Sequence, residues 1–89
     1  MARIEFSAQY VAEQPVHGGA ADALFELGLM YCTGRDVELD LIEAHKWFNL
    51  AALRGNEAAK SYRSDLSREM SRAEISAAQR RAREWLAVH

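Results

Sequence analysis

The residues of this chain best suited to chemistry are one cysteine, Cys32, and three histidines, His17, His45 and His89. Together they could ligate a metal, but no two of them stand at a ligand spacing such as i,i+4 on a helix. His17 precedes a glycine pair and reads as a loop residue. His89 is the last residue shown, and His45 follows Ala44 beside an apolar stripe. Structural or solvated roles fit all three, so no metal and no cofactor is expected. Cys32 with His45 could form a nucleophile and its base. Cys32, however, falls on an apolar segment, where a buried thiol is inert. Arg68, Arg72, Arg80, Arg81 and Arg83 could bind phosphate, but Glu74 and Glu84 interrupt them and no aromatic is interleaved on the exposed side. A solvated helix face explains them better than nucleic acid does. Trp47 and Trp85 could stack on a ligand, but each lies among alanines and apolar residues at helical spacing and reads as core. No Gly-rich phosphate loop, serine elbow or catalytic carboxylate pair occurs, so no catalytic residue is assigned.

These side chains must be carried by helices. A first helix is predicted over about residues 20–32, with Ala21, Leu24, Phe25, Gly28, Tyr31 and Cys32 on one stripe. Leu27 and Met30 lie off that stripe, so the helix is apolar nearly all round and must be packed between neighbours. Gly34 can end it in a left-handed cap. Val37 then turns into the core, and Asp40 caps the second helix, with Glu43 three residues later completing a capping box. Leu41, Ala44, Phe48, Ala51 and Ala52 form the inner stripe of that helix, and Trp47 lies beside it. Asn56 caps a third helix over about residues 57–69 with Ala58, Ala59, Tyr62, Leu66 and Met70 inward. Lys60, Arg63, Ser64, Ser67 and Arg68 take its other face. Ser71-Arg72-Ala73-Glu74 is a second capping box. It opens a fourth helix whose inward residues are Ile75, Ala78, Ala82, Trp85 and Leu86.

Residues 1–19 differ. Arg3 to Tyr10 alternates polar and apolar, while Ile4, Ala8 and Val11 also fit a helical spacing, and Pro15 and Gly18-Gly19 break either element. This segment reads as an N-terminal arm, and residues 20–89 as the helical domain. Leu24, Leu27 and Met30 should leave apolar surface at the open side of the first helix. Ile4, Phe6, Tyr10 and Val11 of the arm, or a second copy of the chain, are the groups expected to cover it.

Taken in order, Ala23, Leu27-Gly28, Tyr31, Gly34, Val37, Asp40, Ala44, Trp47-Phe48, Ala51-Ala52 and Gly55 describe a complete helix–turn–helix unit. This pattern resembles the Sel-one-like repeat family, relatives of the tetratricopeptide repeats. The second loop glycine of the family is Asp36 here, a residue that visits the left-handed region more readily than most. Ala82-Arg83-Glu84-Trp85 echoes Ala44-His45-Lys46-Trp47, so the second helix pair reads as a degenerate capping repeat. The expected fold is all-α: two antiparallel helix pairs forming an α/α solenoid fragment behind the arm.

What the resemblance implies is a non-enzymatic adaptor or regulatory module that docks a protein or peptide on the face of the first and third helices. Glu26, Leu27, Met30, Lys60, Arg63 and Ser67 are the candidates on that face. A structural homo-oligomer is the alternative, with a homodimer as its simplest form. Cysteine-rich relatives linked to β-lactam binding or hydrolysis pair cysteines within each repeat, and a single cysteine disfavours that branch.

Composition agrees with these readings. Apolar residues make up 49% and charged residues 27% of the 89 positions, as expected of a globular domain. No apolar run approaches the roughly 20 residues of a membrane span, and Met-Ala-Arg-Ile-Glu-Phe is unlike a secretory signal. With one cysteine and no signal, a cytoplasmic location is expected. Residues 1–55 hold four Lys/Arg against eight Asp/Glu, and residues 56–89 hold seven against five. Such a bipolar module suits head-to-tail or partner contact better than nucleic acid.

Overall fold

A computed structural model describes residues 19–89. The arm proper, with His17 and the groups expected to cover the first helix, therefore lies outside the described residues. Four helices make an all-α fold: α1 (Ala20–Thr33), α2 (Leu41–Leu53), α3 (Glu57–Glu69) and α4 (Arg72–Val88). Among the described residues there is no strand.

Local chemistry sets the helix ends. Gly34, at φ +74°, adopts the left-handed cap and donates its N–H to the Met30 carbonyl at 2.8 Å. Asp36, at φ +65°, takes the conformation for which the repeat pattern favours glycine. The loop returns when the Asp40 N–H meets the Tyr31 carbonyl at 3.0 Å. Val37 is half-buried there. Asp40 Oδ1 then accepts the Glu43 N–H at 3.1 Å. Asn56 Oδ1 likewise accepts the Ala59 N–H at 3.0 Å and opens α3. Ser71 forms the full capping box with Glu74, at 3.1 and 2.8 Å.

The capping box expected at Asp40 is only half made. Asp40 has already given its N–H to Tyr31, and Glu43 turns its carboxylate to Lys46 at 3.0 Å and to Arg81 at 2.9 Å. Two cations offer that carboxylate more than one backbone amide does.

The contacts fix the directions of the helices. Tyr31 meets Asp40 and Gly28 meets Phe48, so α1 and α2 run antiparallel. His45 meets Ser67 and Asn49 meets Arg63, so α2 and α3 are antiparallel too. Glu43 meets Arg81 and Trp47 meets Trp85, each 38 positions on, so α4 lies parallel to α2. Asp22 meets Asn56 and Phe25 meets Tyr62, so α3 lies parallel to α1. Equivalent helices of two successive repeats are thus stacked, with α2 packed broadly against the other three.

At the centre, Phe48 stacks on Tyr62 with centroids 5.3 Å apart, and Phe25 contacts both rings at 5.7 and 5.2 Å. Ala44, Ala51, Ala59 and Ala78 are fully buried and allow the helices to approach closely. Leu29 and Leu50 join this core, although the sequence stripes omit them. With neighbours on three sides, α2 buries more than one stripe.

Several expectations are corrected. Leu24 is buried, and Leu27 and Met30 are half-buried. The larger exposed apolar side chains are Leu39, Leu53, Leu86 and Val88 instead. Leu86 was expected inward but is 40% exposed, because the buried stripe of α4 centres on Ala78 and Ala82.

Gly28 makes room for a ring rather than for a backbone. A Cβ added there would sit 2.5 Å from two carbons of the Phe48 ring and 2.9 Å from a third. Phe48 cannot retreat easily, being fully buried between Phe25 and Tyr62. Gly28→Ala gains helix propensity of about 1 kcal/mol, but overpacking of a close-packed core costs about 1–3 kcal/mol. The expected net result is destabilisation by about 1 kcal/mol, measured as a lowered urea midpoint at unchanged slope. A Gly28→Ala protein more stable than the parent would show that the ring has room to move.

Candidate functional site

The two residues with nucleophile-and-base chemistry are not joined. Cys32 Sγ lies 3.5 Å from the Leu29 carbonyl of its own helix. Burial pushes its thiol up to about 12, its own backbone hydrogen bond opposing only in part, so it stays protonated. His45 is 2% exposed and shares a hydrogen bond of 3.0 Å through Nε2 with Ser67 Oγ. Its Nδ1 is buried and finds no hydrogen-bond partner among the described residues beyond a weak contact with its own backbone. Burial first, and then the nearby Arg63 cation, hold His45 below its ordinary 6.5. No group of three metal-binding side chains comes together among the described residues.

A pH dependence follows. A histidine with a lowered folded pKa favours the native state while neutral. Its contribution is complete above about pH 6.5 and declines as pH falls toward the folded value. Glu43 acts at lower pH. Burial alone would raise it, but hydrogen bonds and charge from Lys46 and Arg81 outweigh that and hold it below its ordinary 4.5. Its contribution is present above about 4.5 and lost as pH falls through the lowered value. Denaturation from pH 7 to 3 should therefore show two declines. His45→Gln should flatten the upper one and Glu43→Gln the lower. An upper decline that survives His45→Gln would overturn the assignment.

The structure divides the six candidate docking residues. Arg63 donates from Nη1 to Asn49 Oδ1 at 2.6 Å, and Ser67 bonds to His45, so both are turned toward α2. Glu26 is exposed and pairs with Arg35 at 3.0 Å, the two side chains being 58% and 56% exposed. Lys60 is exposed and pairs with Glu57 at 3.3 Å within one turn. Leu27 and Met30 lie beside Glu26, half-buried. Solvent screens both exposed pairs, so a partner could displace them at little cost.

Sequence reasoning missed the cluster between α2 and α4. There, Trp47 meets Trp85 edge-on at 5.8 Å, Lys46 Nζ sits 4.0 Å above the Trp47 ring, and His89 stacks on Trp85 at 4.2 Å. The 38-residue echo of Ala44-His45-Lys46-Trp47 in Ala82-Arg83-Glu84-Trp85 was its signal. It shows equivalent positions, and stacked repeats bring equivalent helices together.

Residues 21–56, which hold α1, the Gly34–Asp36 loop, α2 and the cap of α3, match the family model of the Sel1 repeat. That segment of the chain is similar to a Sel1 repeat. No curated protein and no solved structure matches the chain. Sel1 repeats form a protein-interaction family that is generally non-enzymatic. Within the matched segment, Trp47 lies at the contact with the next helix pair, and Gly28 receives Phe48. No helix among the described residues is long and apolar enough to cross a membrane.

Proposed function

We propose that this chain is a non-enzymatic adaptor or regulatory module that docks a protein or peptide segment along α1 and the adjoining part of α3. The observation that carries this reading is the parallel pairing of α1 with α3 through Asp22–Asn56 and Phe25–Tyr62. The core-facing side of both helices is then committed. Glu26 is exposed and Leu27 and Met30 are half-buried, an apolar strip with an acidic edge, and Lys60 is an exposed cation on α3. A mixed apolar and charged strip on a rigid helix is suited to an extended or helical partner segment. Arg63 and Ser67 would take part only by releasing Asn49 and His45. The domain reading, an arm to residue 19 followed by the repeat domain, and a cytoplasmic site of action belong to the same proposal.

The test compares capture by the parent with capture by Leu27→Asp and Met30→Asp. A charge in the strip should remove a specific partner while the far-ultraviolet dichroism stays native. Arg80→Ala, on the exposed back of α4, should leave capture of that partner unchanged. Equal capture by all four proteins would place the docking surface elsewhere.

A further inference from the structure

The contact between the two helix pairs is a template for what can meet the outer faces of α1 and α4. α3 docks on α2 through Arg63 with Asn49 and through Ser67 with His45. Phe25 and Tyr62 hold equivalent places in α1 and α3, 37 positions apart. Trp47 and Trp85 hold equivalent places in α2 and α4, 38 positions apart. The same offsets carry Arg63 and Ser67 back to Glu26 and Met30 on α1. They carry His45 and Asn49 forward to Arg83 and Ala87 on α4.

Among the described residues, no other helix engages these four positions as their counterparts are engaged; Glu26 pairs only with Arg35, through a solvent-exposed contact a partner can displace. Glu26, Arg83 and Ala87 are exposed, and Met30 is half-buried. Leu86, beside Ala87, is 40% exposed. Their chemistry is complementary. The antiparallel sense of the template sets Met30 over Arg83 and Glu26 over Ala87. That places the Glu26 carboxylate about one helical turn from the Arg83 guanidinium, within reach of two long side chains. Leu27 and Met30 would cover the apolar surface of Leu86 and Ala87. The charge balance has the same sense, with an excess of acid in residues 1–55 and an excess of base in residues 56–89.

We propose that the partner of these faces is a second copy of this chain, stacked head-to-tail with α1 of one copy on α4 of the next. The proposal rests on α1 being a protein-binding surface and names what binds it. The contact is heterologous, so it leaves an open end and builds chains rather than closing at two.

The test is sedimentation equilibrium of the full chain from micromolar to millimolar concentration. The mass should rise from the 10.0 kDa monomer past the dimer as concentration increases, and fall again at high salt. Glu26→Arg and Arg83→Glu should each weaken association by roughly tenfold. The chain carrying both changes should recover it, since the pair is restored with its charges exchanged. Circular dichroism checks that each variant is folded. A chain that stays at monomer mass throughout, or association that stops at the dimer or ignores both reversals, overturns the proposal. If that monomer still captures a different protein through Leu27 and Met30, self-stacking fails and the docking function stands.

Discussion

Phe48→Ala should remove a large part of the stability of this domain. Phe48 is fully buried. It stacks on Tyr62, tilts against Phe25 and fills the space that Gly28 leaves. A buried Phe→Ala change costs about 3–5 kcal/mol, the transfer loss plus the cavity. Domains of this size hold about 5–15 kcal/mol in all. The ring joins three helices, so the loss should appear as a lower midpoint of one cooperative transition rather than as fraying of one helix. Phe48→Leu should cost less, and Gly28→Ala should be tolerated better in that background than alone, because the added methyl then meets a smaller neighbour. The double-mutant cycle in urea measures this coupling. Additive losses would mean that Gly28 and Phe48 do not share the space drawn for them.

The helix boundaries were legible because they rest on short-range chemistry. Asp40, Asn56 and Ser71 each accept the predicted amide hydrogen bond three residues on. Gly34 and Asp36 supply the left-handed turn that the spacing requires. Glu43 was misread because its alternatives tie locally. A backbone amide lies three residues back and Lys46 three ahead, and Arg81, far along the chain, decides. Tertiary pairing of this kind leaves no trace in a local window.

The candidate site was read less well for a related reason. Arg63 and Ser67 fall on the polar side of an amphipathic helix, which by itself suggests solvent. In the structure that side is shared between solvent and α2, because α2 touches all three other helices. The same crowding buries His45 and Leu50. A polar residue beside a core stripe can face water or a neighbouring helix, and only the number of neighbours separates the two. The echo at 38 positions in the sequence supplies that number, because equivalent helices stack and α4 therefore lies on α2.

The second large effect is expected at Trp47, and its size depends on the replacement. Trp47 is half-buried, meets Trp85 edge-on and lies under Lys46. Its Nε1 is buried without an acceptor among the described residues. Trp47→Ala removes the aromatic half of the α2–α4 contact and leaves Glu43 with Arg81 to hold the fourth helix, at a cost of about 3 kcal/mol. Trp47→Phe keeps a ring against Trp85 and removes an N–H whose missing partner costs about 1–3 kcal/mol. The lost area and the relieved donor then oppose each other, and Trp47→Phe should melt close to the parent. The chain has two tryptophans, so either variant leaves Trp85 as the sole reporter. Its emission should shift to the red in Trp47→Ala under native conditions, as the ring loses its cover, and stay near the parent's in Trp47→Phe. If Phe costs as much as Ala, the indole N–H has an acceptor and holds α4 by hydrogen bonding. If neither change moves the melt, α4 is held by Glu43, Arg81 and the buried alanines alone.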